Sequence, residues 1–237
     1  MPIYTLKLIN KSEVARETIE LIFEKPVGLN FTAGQYGGFT LINPSEKDAG
    51  GITRRFSILS TPNDNHLAIT TRIQSSAYKR SLTALQIGDE IKFAGPSGNF
   101  ILHQEENVPA VFIAGGIGIT PFYSMIKHAT QQGNARSIIL FYGNQSRNDA
   151  AYLEEFIHLQ TENKNFTYVP TLALPDEDWE GETGFITHTL IKKYIPDISQ
   201  PIYYVCGSPT MVNALKETLL EMGINEEKIK VEDFPGY

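Results

Sequence analysis

Between Val111 and Pro121 the chain reads Val-Phe-Ile-Ala-Gly-Gly-Ile-Gly-Ile-Thr-Pro: an apolar run, the glycines Gly115, Gly116 and Gly118, then the opening of a helix. Glycine lets a backbone approach a ligand closely, and the amides of a helix's first turn attract phosphate. Thr120 is placed to cap that helix, and Pro121 suits its first position. The chemistry such a segment can do is nucleotide binding, although a tight strand-to-helix turn has the same pattern. Two common glycine motifs are absent. The dinucleotide fingerprint needs a third glycine where Pro121 stands, and no Gly-Lys-Ser/Thr follows to make a P-loop. Cys206 is the single cysteine. One thiol cannot make an internal disulfide, a four-cysteine iron–sulfur cluster or a structural zinc site. His66, His103, His128, His158 and His188 show no metal-ligand spacing and read as structural or surface residues.

The elements that must position these residues differ between the two halves. Tyr4–Ile9, Thr18–Phe23, Tyr36–Ile42, Arg55–Leu59, His66–Ile73 and Glu90–Ala94 are short strand-like runs separated by turn residues. Strands at that spacing predict an antiparallel barrel or sandwich, interrupted by one helix over Ala77–Leu85. From Pro109 onward, apolar strands (Ala110–Ala114, Ser137–Tyr142, Thr167–Leu172, Ile202–Val205, Lys228–Val231) alternate with helices (Pro121–Gln131, Ala150–Gln160, Thr187–Tyr194, Thr210–Glu221). That alternation predicts a parallel sheet. The expected fold is therefore two domains, an antiparallel β-barrel over 1–104 and an α/β parallel-sheet domain over 105–237. Acidic Pro175–Glu182 reads as a solvated loop.

The 237 residues carry 20 Lys and Arg against 27 Asp and Glu, a net charge of −7. Through His103 there are 11 basic and 9 acidic residues, and beyond it 9 basic and 18 acidic. General nucleic-acid binding is disfavoured, because it rests on neutralising many phosphates. The slightly basic first half is either ordinary solubility charge or a surface that meets an anion. No apolar run approaches the roughly 20 residues of a membrane helix. The first residues read as a strand rather than a cleaved signal, and with the lone thiol this leads us to expect a cytoplasmic protein with no membrane insertion.

Six motifs occur in order: Arg54-Arg-Phe-Ser57, Gly95-Pro-Ser-Gly-Asn-Phe100, Gly115-Gly-Ile-Gly-Ile-Thr-Pro121, Tyr142-Gly-Asn, Cys206-Gly-Ser-Pro-Thr-Met211 and Glu232-Asp-Phe234. Across nearly its whole length the chain thereby resembles the ferredoxin–NADP reductase superfamily, and within it the small flavodoxin-reductase-like members. The resemblance implies a flavin-binding barrel followed by an NAD(P)-binding sheet, with the reaction between them.

Carried over residue by residue, the resemblance makes Arg54 the partner of the flavin pyrophosphate and Phe56 the ring against the flavin, where the family usually has Tyr. Ser57 becomes the hydroxyl near flavin N5. Thr71, Arg72 and Ile73 become the strand along the isoalloxazine and ribityl. Lys79 stands where the family often has Ser or Thr: either the helix-start amides with Ser76 as cap hold the pyrophosphate, or Lys79 adds a cation to it. Gly116, Gly118 and Thr120, with Gly207 and Met211, match the nucleotide-binding motifs. Cys206 lines the nicotinamide site, and Glu232 orients the serine or relays a proton. Phe234 covers the flavin, with Tyr237 the other aromatic able to do so. Ser146 and Arg147 match residues that hold a 2′-phosphate, but some NADH-using relatives are similar here, so the coenzyme stays open.

The resemblance implies a flavoprotein reductase that passes hydride from NAD(P)H to FAD, or less readily FMN, with no iron–sulfur cluster. The acceptor would be a small redox protein (flavodoxin or ferredoxin) or a small molecule, and the protein a monomer. Two rivals stand beside it: a reductase of free flavin, and a non-catalytic electron-transfer or nucleotide-binding component of a larger complex.

Overall fold

Alternating runs in the first half give six strands, β1 (Ile3–Ala15), β2 (Thr18–Glu24), β3 (Tyr36–Leu41), β4 (Thr53–Ser57), β5 (His66–Arg72) and β6 (Glu90–Ser97), in a computed structural model that describes residues 2–234. They form one antiparallel sheet in the order β4-β3-β6-β1-β2-β5. Its two end strands, β4 and β5, come back into contact, so the sheet curls into a barrel. Alternate residues of each strand fill the inside, among them Leu6, Leu8, Leu21, Phe23, Phe39, Ile91 and Phe93. Helix α1 (Ala77–Ala84) adds Tyr78 and Leu82 to that core, and the Tyr78 hydroxyl donates to the Phe39 carbonyl at 2.9 Å.

The second half contains β7 (Ala110–Gly115), α2 (Thr120–Gln131), β8 (Ile138–Asn144), α3 (Leu153–Glu162), β9 (Phe166–Leu172), β10 (Glu182–Thr183), α4 (His188–Tyr194), β11 (Ile202–Gly207), α5 (Pro209–Glu221) and β12 (Ile229–Asp233). All six strands run parallel in the order β10-β9-β8-β7-β11-β12. The central strand β7 is apolar on both faces because helices cover both, with Phe112 packed to one side and Val111 and Ile113 to the other.

Two local expectations need correction. The acidic stretch read as a loop ends in β10, a two-residue strand paired to β9, where tertiary pairing overrides a polar sequence. Thr120 does not cap α2. A 3₁₀ turn over Gly116–Ile119 runs straight into the helix, so no extended residue precedes it, and the Thr120 hydroxyl donates to the Ile117 carbonyl at 3.2 Å.

Polar contacts tie the two sheets together. Arg16 meets Asp149 at 2.6 Å, and the Ser124 hydroxyl donates to the Ser60 carbonyl at 2.8 Å. The Tyr152 hydroxyl lies between Thr70 Oγ1 at 2.5 Å and Glu20 Oε2 at 2.7 Å.

Candidate functional site

A cavity of about 410 Å³ opens where the barrel meets the parallel sheet. That is within the usual range for ligand pockets. Strands β4 and β5 form one wall, with Lys79 of α1 beside them. Ile117, Thr120 and the end of β12 form the other. Along β4, Arg54 and Ser57 are three residues apart, roughly 10 Å of extended chain. The two ends of the cavity are chemically different.

Arg54 and Lys79 make one end cationic. Arg54 is 4% exposed. Its Nη2 donates to Asp48 Oδ1 at 2.7 Å, its Nη1 to the Gly50 carbonyl at 2.6 Å, and the guanidinium lies 5.1 Å from the Tyr78 ring centre. Lys79 is 7% exposed, donates its Nζ to Thr71 Oγ1, and stands 4.9 Å over the Phe56 ring. Among the described residues no carboxylate pairs with it. Burial, reinforced by Arg54, lowers the Lys79 ammonium to about 8. Ser76 caps α1, its hydroxyl accepting from the Lys79 amide at 3.3 Å, and it does not line the cavity.

At the other end Ser57 Oγ and Glu232 Oε2 are buried with no hydrogen-bond partner among the described residues. Burial, helped by the charge of Asp233, raises Glu232 to about 7. Phe234 also lines this end, and its amide donates to the Gly207 carbonyl at 2.9 Å.

The cavity thus gathers Arg54, Phe56, Ser57, Thr71, Arg72, Lys79, Thr120, Glu232 and Phe234. Other expected residues lie behind or beyond it. Gly118 packs so tightly against the backbone of Cys206 and Gly207 that a Cβ there would collide with the Cys206 carbonyl. Cys206 is opposite Glu232 in the β11–β12 register, wholly buried, its thiol raised by burial and by Glu232 and Asp233. It sits beneath the cavity rather than in its lining. The Met211 sulfur packs over Gly115 and Gly207 in the same knot. Gly116, at φ +50°, lets the chain turn beside the Arg72 guanidinium. Ile73 is 42% exposed and leaves the wall. Tyr237 lies outside the described residues.

Ser146 and Arg147 follow β8 on the outer rim. The Ser146 hydroxyl donates to Asp149 Oδ2 at 2.6 Å. The Arg147 fork is bidentate on Asp176, Nε to Oδ2 at 2.9 Å and Nη2 to Oδ1 at 3.0 Å, and stacks 5.2 Å from the Trp179 ring centre. Sequence reasoning missed both aspartates. It also missed Asp48, Tyr36, Arg55 and Gln74, the last three of which line the cavity. Arg55 lies within the Arg54–Ser57 motif and Asp149 closes a Ser-x-x-Asp capping box with Ser146, whereas Asp48, Asp176, Tyr36 and Gln74 have no local signal and are placed by folding.

An elongated ligand with an anionic end and a flat, polar end suits this cavity. FAD has that form: phosphates can meet the cationic end, Phe56 offers a ring, and the two orphaned polar atoms face the far end. The residues present therefore fit a flavin.

A family model described as "Oxidoreductase NAD-binding domain" matches residues 112–217. One subunit of the Na(+)-translocating NADH-quinone reductase of Haemophilus influenzae is 37% identical over 169 residues, 69% of this chain and 40% of that protein. The corresponding subunit of Idiomarina loihiensis is 32% identical over 199 residues, 81% of this chain and 47% of that one. The chain thus spans less than half the length of these relatives. Among solved structures, a cytochrome P450 reductase from Amycolatopsis superposes with a TM-score of 0.84 at 24% identity, over 100% of this chain and 72% of that one. A ferredoxin NADP+ reductase from Neisseria gonorrhoeae with bound FAD and NADP superposes with a TM-score of 0.81 at 20% identity, over 99% of both chains. These similarities establish the fold.

Proposed function

We propose that the chain is a member of the ferredoxin–NADP reductase superfamily and acts as an NADH-dependent flavoprotein reductase, with FAD held by residues 1–104 and the coenzyme by residues 105–237. The observation that carries this reading is the pairing of opposites in one cavity: buried cations at one end, and the unpartnered Ser57 Oγ and Glu232 Oε2 at the other. When bound, FAD supplies a hydride acceptor for nicotinamide and a donor of electrons to a further acceptor.

Each residue has a task the geometry supports. Arg54 grips the pyrophosphate with a fork that Asp48 and the Gly50 carbonyl already orient. Phe56 gives the flavin a flat apolar neighbour. Ser57 donates a hydrogen bond at the reacting end while staying small enough to leave room for the nicotinamide. Glu232, with its carboxyl raised to about 7, exchanges a proton near that hydroxyl around neutral pH. Phe234 excludes water until nicotinamide displaces it. The glycine turn after β7 receives the coenzyme pyrophosphate, and the Cys206–Gly207–Met211 knot forms the floor beneath the nicotinamide.

The coenzyme preference follows from the rim. A 2′-phosphate would have to displace Asp176 from Arg147 and Asp149 from Ser146, which tilts the rim toward the unphosphorylated coenzyme. NADH asks for neither. The electron acceptor is a small redox protein such as flavodoxin or ferredoxin, or a small molecule, in the cytoplasm. A second reading, an electron-transfer unit within a larger assembly, draws on the relatives, which are more than twice the matched length and are named as subunits. Among the described residues no helix is long and apolar enough to cross a membrane.

The deciding experiment is the visible spectrum of the purified, flavin-loaded protein, recorded anaerobically before and after NADH and, separately, NADPH. We expect a flavin spectrum that bleaches promptly with NADH and slowly with NADPH. A protein that takes no flavin, or whose flavin neither coenzyme bleaches, would contradict the reading.

A further inference from the structure

Lys79 carries a buried positive charge that no carboxylate among the described residues balances. Its ammonium has three donors, and Thr71 Oγ1 is the acceptor it meets. The charged groups that line the cavity with it are Arg54 and the exposed Arg55 from β4, Arg72 from β5, and Glu232 and Asp233 on β12. Asp48 belongs to Arg54 and to the Tyr78 amide, the latter at 3.3 Å. An ammonium kept from water with spare donors either sheds its proton more readily or is stabilised by an anion that joins it. Arg54, offset by Asp48, leaves the pair of cations one charge in excess, and that excess faces the cavity.

On the reading of this cavity as a flavin site, we propose that Lys79 receives a phosphate oxygen of the flavin nucleotide and that binding in alkaline solution draws a proton onto its amine, so that flavin retention weakens as the pH rises. In the ligand-free protein, burial and Arg54 lower the ammonium to about 8. A neighbouring phosphate favours the charged form and lifts it again. Below that pH the amine is already charged and affinity is flat. Above it, binding must take up as much as one proton, and affinity falls by up to about ten-fold per pH unit. The dinucleotide's pyrophosphate does not titrate in this range. Glu232 titrates in the same cavity, so its variant serves as background.

The test titrates the flavin-stripped full chain with FAD from pH 6.5 to 9.5 by flavin fluorescence, with phosphate-free riboflavin as the control ligand. Wild type, Lys79→Met and Lys79→Arg are compared, each also with Glu232→Gln. For wild type we expect FAD affinity to fall above pH 8 and riboflavin affinity to stay level. Lys79→Met should weaken FAD on the order of ten-fold or more at pH 7 and flatten the profile. Lys79→Arg should restore affinity without the alkaline decline, because a guanidinium keeps its proton. The proposal is overturned if Lys79→Met binds FAD as wild type does, or if the decline persists in Lys79→Arg. Wild type that binds neither flavin would overturn both this proposal and the site reading beneath it.

Discussion

Two arginine–aspartate pairs flank the two ends of the proposed reaction path, and they behave as different objects. Arg54–Asp48 at 2.7 Å is walled in by backbone carbonyls and the Tyr78 ring, with the guanidinium only 4% exposed. Arg147–Asp176 at 2.9 Å stands on the rim, its partners 40% and 50% exposed. Water screens the rim pair and competes for its donors, so its contribution is small and salt-dependent. The buried arginine cannot turn to water, and Asp48 with the Gly50, Gly51 and Thr53 carbonyls fixes its guanidinium in the cavity wall. An arginine beside a possible phosphate site is therefore informative only together with its burial and its carboxylate.

The largest test of that contrast is Arg54→Ala. We expect flavin affinity to fall on the order of a hundred-fold, measured by equilibrium dialysis, since hydrogen bonds to charged groups are the strong ones. A loss no greater than that of Arg147→Ala would erase the distinction. Next comes Ser57→Ala, which should keep its flavin but slow hydride transfer by about ten-fold or more in stopped-flow reduction. An unchanged rate would remove the hydroxyl from the chemistry.

On the rim, Asp176→Ala frees the Arg147 fork. The ratio of kcat/KM for NADPH to that for NADH should rise by about three- to ten-fold, and less at high salt. If the ratio is unmoved, the coenzyme ribose does not reach this pair. The smallest effect concerns Glu232. Its carboxyl titrates near 4.5 when unfolded and near 7 when buried, so the folded chain holds the extra proton between those values. Stability of the ligand-free protein should then fall as pH rises from about 4.5 to 7, and Glu232→Gln should flatten that slope by a few degrees of Tm.

The strands and helices were legible because their apolar periods are strong: β7 and β11 are nearly continuous apolar runs, and Phe39 and Leu41 alternate with outward residues on β3. What escaped depends on distance in sequence. Asp176 meets Arg147 from 29 positions away, across a loop whose acidity suggested solvent alone. Glu182 and Thr183 form β10 only because β9 offers an open edge. Thr120 fits a capping pattern, but the 3₁₀ turn before it leaves no place for a cap. The sequence left open whether Lys79 or the helix-start amides meet the pyrophosphate, and the burial of Lys79 follows from the way α1 places it over Phe56 of β4 and against Thr71 of β5. The expected residues that reach the cavity do so from five separate elements, β4, β5, α1, α2 and β12 with the residue that follows it. The sequence order announced their types, while the partners that set their charge came from the fold.

The barrel's end strands carry a consequence of their own. β4 pairs with β3 and β5 with β2, and among the described residues no ladder joins β4 to β5 along the cavity. One end of this seam is stitched, where the Leu59 amide donates to the Ala68 carbonyl at 2.8 Å. From there toward Arg54 and Arg72 two half-finished edges face each other. Such edges keep peptide groups that pair with no neighbouring strand, and they lie beside the cavity wall that β4 and β5 form. The barrel is therefore closed along the cavity by contact between its end strands rather than by a hydrogen-bonded ladder.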